Sequence, residues 1–99
     1  MDETDQHRTD PHGLGVLMDD IRLNIANIAS ANQPMCFRLT VNEVNFNRAR
    51  VVGQLDGVRR LMANKDDAAY FVKICTDSLQ SACDAAIART KRSPRSRAD

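Results

Sequence analysis

At 99 residues, with 4% aromatic side chains and no Trp, the chain is one small domain whose core must be aliphatic. A chain this short buries only about 60–65% of its unfolded surface, so its core is marginal and of a kind often completed by self-association or a partner. The net charge of +1 conceals two oppositely charged ends: Asp2, Glu3, Asp5 and Asp10 outweigh Arg8 at the start, and Arg89, Lys91, Arg92, Arg95 and Arg97 outweigh Asp99 at the finish.

Residues 1–10 are acidic and poor in apolar side chains, and their composition predicts disorder. They contain no basic-then-apolar signal segment. Asp10-Pro11 offers an N-cap followed by proline at the first helical position, where a missing N–H costs nothing. Leu14, Met18, Ile21, Ile25 and Ile28 then recur at alternating spacings of four and three. That is one apolar stripe on a first helix expected over 11–30, ended by Pro34.

The linker after it is apolar for a loop, with Met35, Cys36, Phe37 and Leu39. Thr40 and Glu43 have the spacing of a capping box, and Leu39 and Val44 that of the accompanying hydrophobic staple. Met35 and Phe37 are left over, and are expected to lie buried across the end of the bundle.

The second helix, expected over 41–63, carries two patterned faces. Val41, Val44, Val51, Leu55, Val58 and Met62 keep a 3-4 register in which Arg48 is the misfit. Ala49, Gly53 and Gly57 form a stripe of small residues on another side. A glycine in a helix interior costs roughly 0.8–1.0 kcal/mol relative to alanine, so the stripe predicts close approach by another backbone; the alternative is a kink at one of the glycines. Asn64 reads as the stop of this helix, and Asp66 or Asp67 as the N-cap of a third helix over 67–90. The short turn makes the two helices antiparallel. Phe71, Cys75, Leu79, Ala82 and Ala86 supply the third helix's apolar face, and its small-sided second half (Ser78, Ser81, Ala85, Ala88) is expected to meet Ala49 and Gly53. The basic tail, 91–99, contains Lys91, Arg92, Arg95 and Arg97 and is interrupted by Pro94. Ser93 and Ser96 among its arginines are candidate phosphorylation sites in a eukaryotic host.

Site chemistry is sparse. His7 and His12 lack a third ligand at regular spacing, and Cys36, Cys75 and Cys83 form no CxxC pair, so neither a zinc site nor a disulfide framework is expected. Asp19-Asp20 are adjacent on a helix and diverge by about 100°, which prevents them from sharing a proton. Asp66-Asp67 are explained by the helix start. No cysteine has a histidine nearby in sequence, and the lone Gly13-Leu14-Gly15 fragment follows no strand. The expectation is no enzyme, no catalytic residue, no cofactor and no metal.

The fold class expected is all-α: a three-helix bundle with coiled-coil-like packing, its second and third helices forming a hairpin. The function expected is that of a small helical adaptor, assembly subunit or assembly chaperone in a larger coiled-coil-containing complex. Its partners would be other helical subunits, in a hetero- or homo-oligomer. The stripe on the first helix (Leu14, Met18, Ile21, Ile25, Ile28) and both faces of the second (Val44, Val51, Leu55, Val58, Met62; Ala49, Gly53, Gly57) are the candidate partner-binding residues. The alternative is a nucleic-acid-associated regulator acting through Arg59, Arg60 and the tail. No segment suits membrane insertion, and the three scattered thiols suggest a reducing compartment, the cytoplasm, or the nucleus in a eukaryote.

Overall fold

A computed structural model describes residues 13–92, which form three helices and no strand: α1 (Leu14–Ser30), α2 (Val41–Leu61) and α3 (Lys65–Arg92). The acidic segment 1–10 and residues 93–99 of the tail lie outside the described residues. Contacts between named side chains fix the topology. Asn24 donates to Gln54 at 3.0 Å and Leu17 meets Gly57, so α1 and α2 run antiparallel. Arg48 donates to Gln80 at 2.9 Å, so α2 and α3 form the expected antiparallel hairpin. Arg22 stacks over Phe71 near one end and Arg89 reaches Ala29 near the other, so α1 and α3 are parallel. The bundle is therefore up-down-up. Its start at Gly13 and its finish at Arg92 lie at opposite ends.

One aliphatic core joins the three helices. Ile21, Ile25 and Ile28 from α1 pack with Val44, Val51, Leu55 and Val58 from α2. From α3 come Val72, Cys75, Leu79, Ala82, Cys83 and Ala86. Leu14, Met18, Met62 and Phe71 close its margins, half-buried. The 3-4 spacing read on each helix is thus the spacing of its inward face. Val41 falls outside the core, with 39% of its surface exposed.

The helix boundaries show which local signals operate. At α2, Thr40 Oγ1 accepts from the Glu43 amide at 3.1 Å, and Glu43 Oε1 accepts from the Thr40 amide at 2.8 Å. The capping box is formed as expected, with Leu39 and Val44 both packed into the core. At α1 the start is different. The helix begins at Leu14 behind Gly13, whose φ of 68° and lack of a side chain leave it without a capping hydrogen bond; Asp10 and Pro11 lie outside the described residues. Asn64 is also corrected. It is the N-cap of α3, its Oδ1 accepting from the amides of Asp66 and Asp67 at 3.0 Å each. Asp66 and Asp67 occupy the first turn, beside the positive end of the helix dipole. Lys65 Nζ in turn donates to the Arg59 and Met62 carbonyls and closes the end of α2. The third helix continues through Arg92, so Lys91 and Arg92 belong to the helix and not to the tail.

The α1–α2 connection holds the largest departures. Asn32 is only 5% exposed and has a φ of 65°. Its Oδ1 accepts from the Leu39 amide at 2.8 Å, and its Nδ2 donates to the carbonyls of Leu39 and Ala86, both at 3.1 Å. One side chain therefore closes the loop and ties it to α3. Arg89 adds a second tie, its guanidinium donating to the carbonyls of Ala29 and Ala31 at the negative end of α1. The loop's outer part is a turn in which the Cys36 amide donates to the Gln33 carbonyl at 3.0 Å. Pro34 holds its second position and Met35, at φ 70°, its third, the pattern of a type II turn. Met35 and Phe37 are consequently not buried across the bundle end: Met35 is fully exposed and Phe37 is 48% exposed. A six-residue turn closed from inside by Asn32 leaves their side chains no route back to the core.

Candidate contact surfaces

The helical stripes assigned to partner binding divide between inside and outside. Leu14, Met18, Ile21, Ile25, Ile28, Val44, Val51, Leu55, Val58 and Met62 are all within the chain's own core or packed at its edge. The small stripe goes the other way. Ala49 and Gly53 face solvent, and a Cβ built on Gly53 would meet nothing within 4 Å. A Cβ on Gly57 would lie 3.4 Å from Leu17 Cδ2, in α1. The expected meeting of Ala49 and Gly53 with α3 does not occur, because the valine–leucine face of α2 is turned toward both other helices. Nor is there a break: α2 is helical from Val41 through Leu61, both glycines included.

Around this outward stripe, α2 carries unburied apolar bulk. Phe46 is 65% exposed, with the Arg50 guanidinium 5.7 Å from its ring centre, and Val52 is 54% exposed. Beside Val52 and Gly53 runs a groove of about 450 Å³ between α2 and α3, walled by Leu55, Val72 and Thr76 and edged by Asp56 and Arg59. A second groove of about 460 Å³ lies between α1 and α3, lined by Ile25, Ala26, Phe71 and Ile74, with Tyr70 and Ser78 at its rim. Arg22 spans its lower end, 5.2 Å over the Phe71 ring and 3.1 Å from Asp19 Oδ1. Tyr70 is 69% exposed and Ile74 46%.

The aromatic residues share one property. None of Phe37, Phe46, Tyr70 and Phe71 is buried, although these four are the chain's whole aromatic complement. Sequence reading caught Phe71 as a core-facing residue but missed Tyr70 and Ile74. The signal was a second stripe on the third helix, offset from the apolar one.

The polar and thiol groups among the described residues are engaged as follows. Cys75 forms part of the floor of the α1–α3 groove, and burial raises its thiol above the ordinary range, with Arg22 opposing weakly. Burial raises Cys83 likewise, opposed by Arg48 and aided by Asp84. Burial thus favours the protonated form of both, and both pack in the core as small apolar residues do. Cys36 is exposed. Among the described residues, no three His, Cys, Asp or Glu side chains cluster as a metal ion would require, and no helix is long and apolar enough to cross a membrane. Asp19 pairs with Arg22 and Asp20 accepts from Gln54, so the two neighbours point to different partners. Arg60 is held by Asp56 at 2.6 Å; His7, His12, Arg95 and Arg97 lie outside the described residues.

Compared with known proteins, the chain matches no family model, no curated protein and no solved structure.

Proposed function

We propose that this chain is a non-catalytic helical adaptor or assembly subunit that receives a helix of another protein on the outer face of α2. The observation that carries the reading is Gly53. It lies in the middle of a 21-residue helix, costs roughly 0.8–1.0 kcal/mol of helix propensity, and no neighbour within the chain approaches it. Together with Ala49 it makes a flat strip on which a partner backbone can lie close. Phe46 and Val52 flank that strip with the kind of apolar side chains that anchor interfaces, and the α2–α3 groove gives an anchor from the partner a place to enter. The related role of assembly chaperone would use the same face transiently.

The test separates folding from binding at one residue. Gly53→Ala should stabilise the isolated chain by up to about 1 kcal/mol in urea unfolding, because the added methyl enters open space. Gly53→Leu should fold equally well but lose a partner recovered from the native host, measured by calorimetry with the purified pair. A Gly53→Leu chain that binds that partner as tightly as the parent would overturn the reading. The nucleic-acid alternative draws on Lys91, Arg92, Arg95 and Arg97 of the basic C-terminal segment together with Arg59 and Arg60. If it held, deleting 93–99 would abolish retention on DNA or RNA and flatten its salt dependence; under the adaptor reading the deletion leaves partner affinity unchanged.

A further inference from the structure

We infer that α3 pairs with α3 of a second copy of the chain, antiparallel, along a face distinct from the α2 strip. The helix carries two stripes. The inner one is buried in the core. The outer one runs Asp67, Tyr70, Ile74, Ser78, Ser81, Ala85, Ala88 and Arg92, with spacings of 3, 4, 4, 3, 4, 3 and 4. This is the 3-4 periodicity of a helix that packs along its length, yet the bundle leaves the stretch from Asp67 to Ser81 uncovered. Asp67, Tyr70, Ile74, Ser78 and Ser81 are exposed, and Ala85 and Ala88 half-buried.

The order of residue types along the stripe identifies the occupant. It begins acidic, continues large and apolar, then becomes small, and ends basic. A second copy laid antiparallel about a two-fold axis between Ser78 and Ser81 matches every position with its complement. Asp67 comes level with Arg92 of the partner subunit, with Asp66 and Lys91 beside this pair. Ile74 comes level with the partner's Ala85 and Ser78 with the partner's Ser81, and Tyr70 falls within one residue, about 1.5 Å, of the partner's Ala88. Each large side chain therefore faces a small one, which is what close interdigitation of two helices needs. Unlike charges meet at both ends, and a two-fold interface repeats each contact twice. A parallel pair would instead set Asp67 against Asp67 and Tyr70 against Tyr70. The helix is 28 residues long, about 42 Å at 1.5 Å per residue, so the seam would extend over most of the molecule's 57 Å length.

Sedimentation equilibrium of the full-length chain should give a dimer at tens of micromolar. Ile74→Glu should give a monomer with unchanged helical circular dichroism, since Ile74 is not in the core. Asp67→Arg should weaken the dimer, and the double variant Asp67→Arg/Arg92→Asp should restore it. Register is read by cross-linking in a Cys36→Ser background. On mixing, chains with Ser78→Cys and chains with Ser81→Cys should form the mixed disulfide in preference to either homodisulfide; dominant homodisulfides would overturn the antiparallel register. A chain that stays monomeric at these concentrations would overturn the pairing itself. Gly53→Leu should leave the dimer intact, which keeps the two proposals separable. Capture of a partner by a strictly monomeric chain would remove only the self-pairing, and a dimer whose partner binding ignores Gly53→Leu would remove only the adaptor face.

Discussion

Among the described residues, Asn32 is the polar residue that lies buried. Its side-chain amide makes three hydrogen bonds in a site that is 5% exposed, and its backbone occupies the left-handed region. Asn32→Ala should cost about 2–4 kcal/mol in urea unfolding, from buried carbonyls and an amide left unpaired and from alanine's poor fit to positive φ. Asn32→Gly should recover part of that loss by relieving the backbone, and the difference between the two variants measures the strain. At Met35 the expected sign is opposite. A bulky residue holds a positive φ at the third position of the turn, where its side chain touches nothing that burial would reward. Met35→Gly should therefore stabilise the chain by a few tenths to about 1 kcal/mol, with glycine's greater freedom in the unfolded state limiting the gain. A loss of stability on this substitution would show that the Met35 side chain has a contact within the chain.

At the level of the elements, the aliphatic core joins the three helices and side-chain ties close their ends. The carbonyl end of α1 is closed by Arg89 and by Gln33, and that of α2 by Lys65. Thr40 and Asn64 close the amide ends of α2 and α3. Arg89 is the tie that joins the end of α1 to the end of α3. Arg89→Met should preserve the aliphatic stem while removing these bonds. Hydrogen bonds to a charged group are worth roughly 1.5–3 kcal/mol each when well formed, and less where solvent reaches the half-buried guanidinium. A destabilisation on the order of 1–2 kcal/mol is expected, together with faster amide exchange in residues 26–32; exchange unchanged in that segment would place the tie elsewhere.

For the molecule as a whole, Cys75 and Cys83 make stability depend on pH in one direction. Burial raises both thiols above their value in the unfolded chain. The folded state thus retains protons that the unfolded state has lost, and folding weakens as pH rises. Their contribution is fully present below the ordinary thiol value of about 8.5 and declines above it. Urea midpoints should be insensitive to these thiols at pH 7 and should fall between pH 8.5 and 10, with a shallower fall in Cys83→Ala. In the native chain at pH 8, alkylation should consume Cys36 rapidly, and Cys75 and Cys83 only as the bundle opens. A slope that is identical in the parent and in Cys83→Ala would mean that other groups govern it.

The sequence by itself determined what depends on local spacing. Apolar periodicity placed three helices and nearly all of their inward faces, because a 3.6-residue repeat leaves a helix one way to bury a stripe. Thr40 and Glu43 located the start of α2 because a capping box is complete within four residues. The stripe of Ala49, Gly53 and Gly57 was legible too, but not what it faced. Its direction depends on how α2 rotates to satisfy α1 and α3 together, and that rotation turned the small side outward. The same holds for Asn32, whose partners Leu39 and Ala86 are 7 and 54 residues away. It holds for Met35 and Phe37, which hydrophobicity alone assigned to the interior. The outer face of α3 could be read as a contact surface only once tertiary packing had shown which of its two stripes the core already occupied. Local spacing fixes which residues share a face, and only the simultaneous packing of all three helices decides which faces remain open.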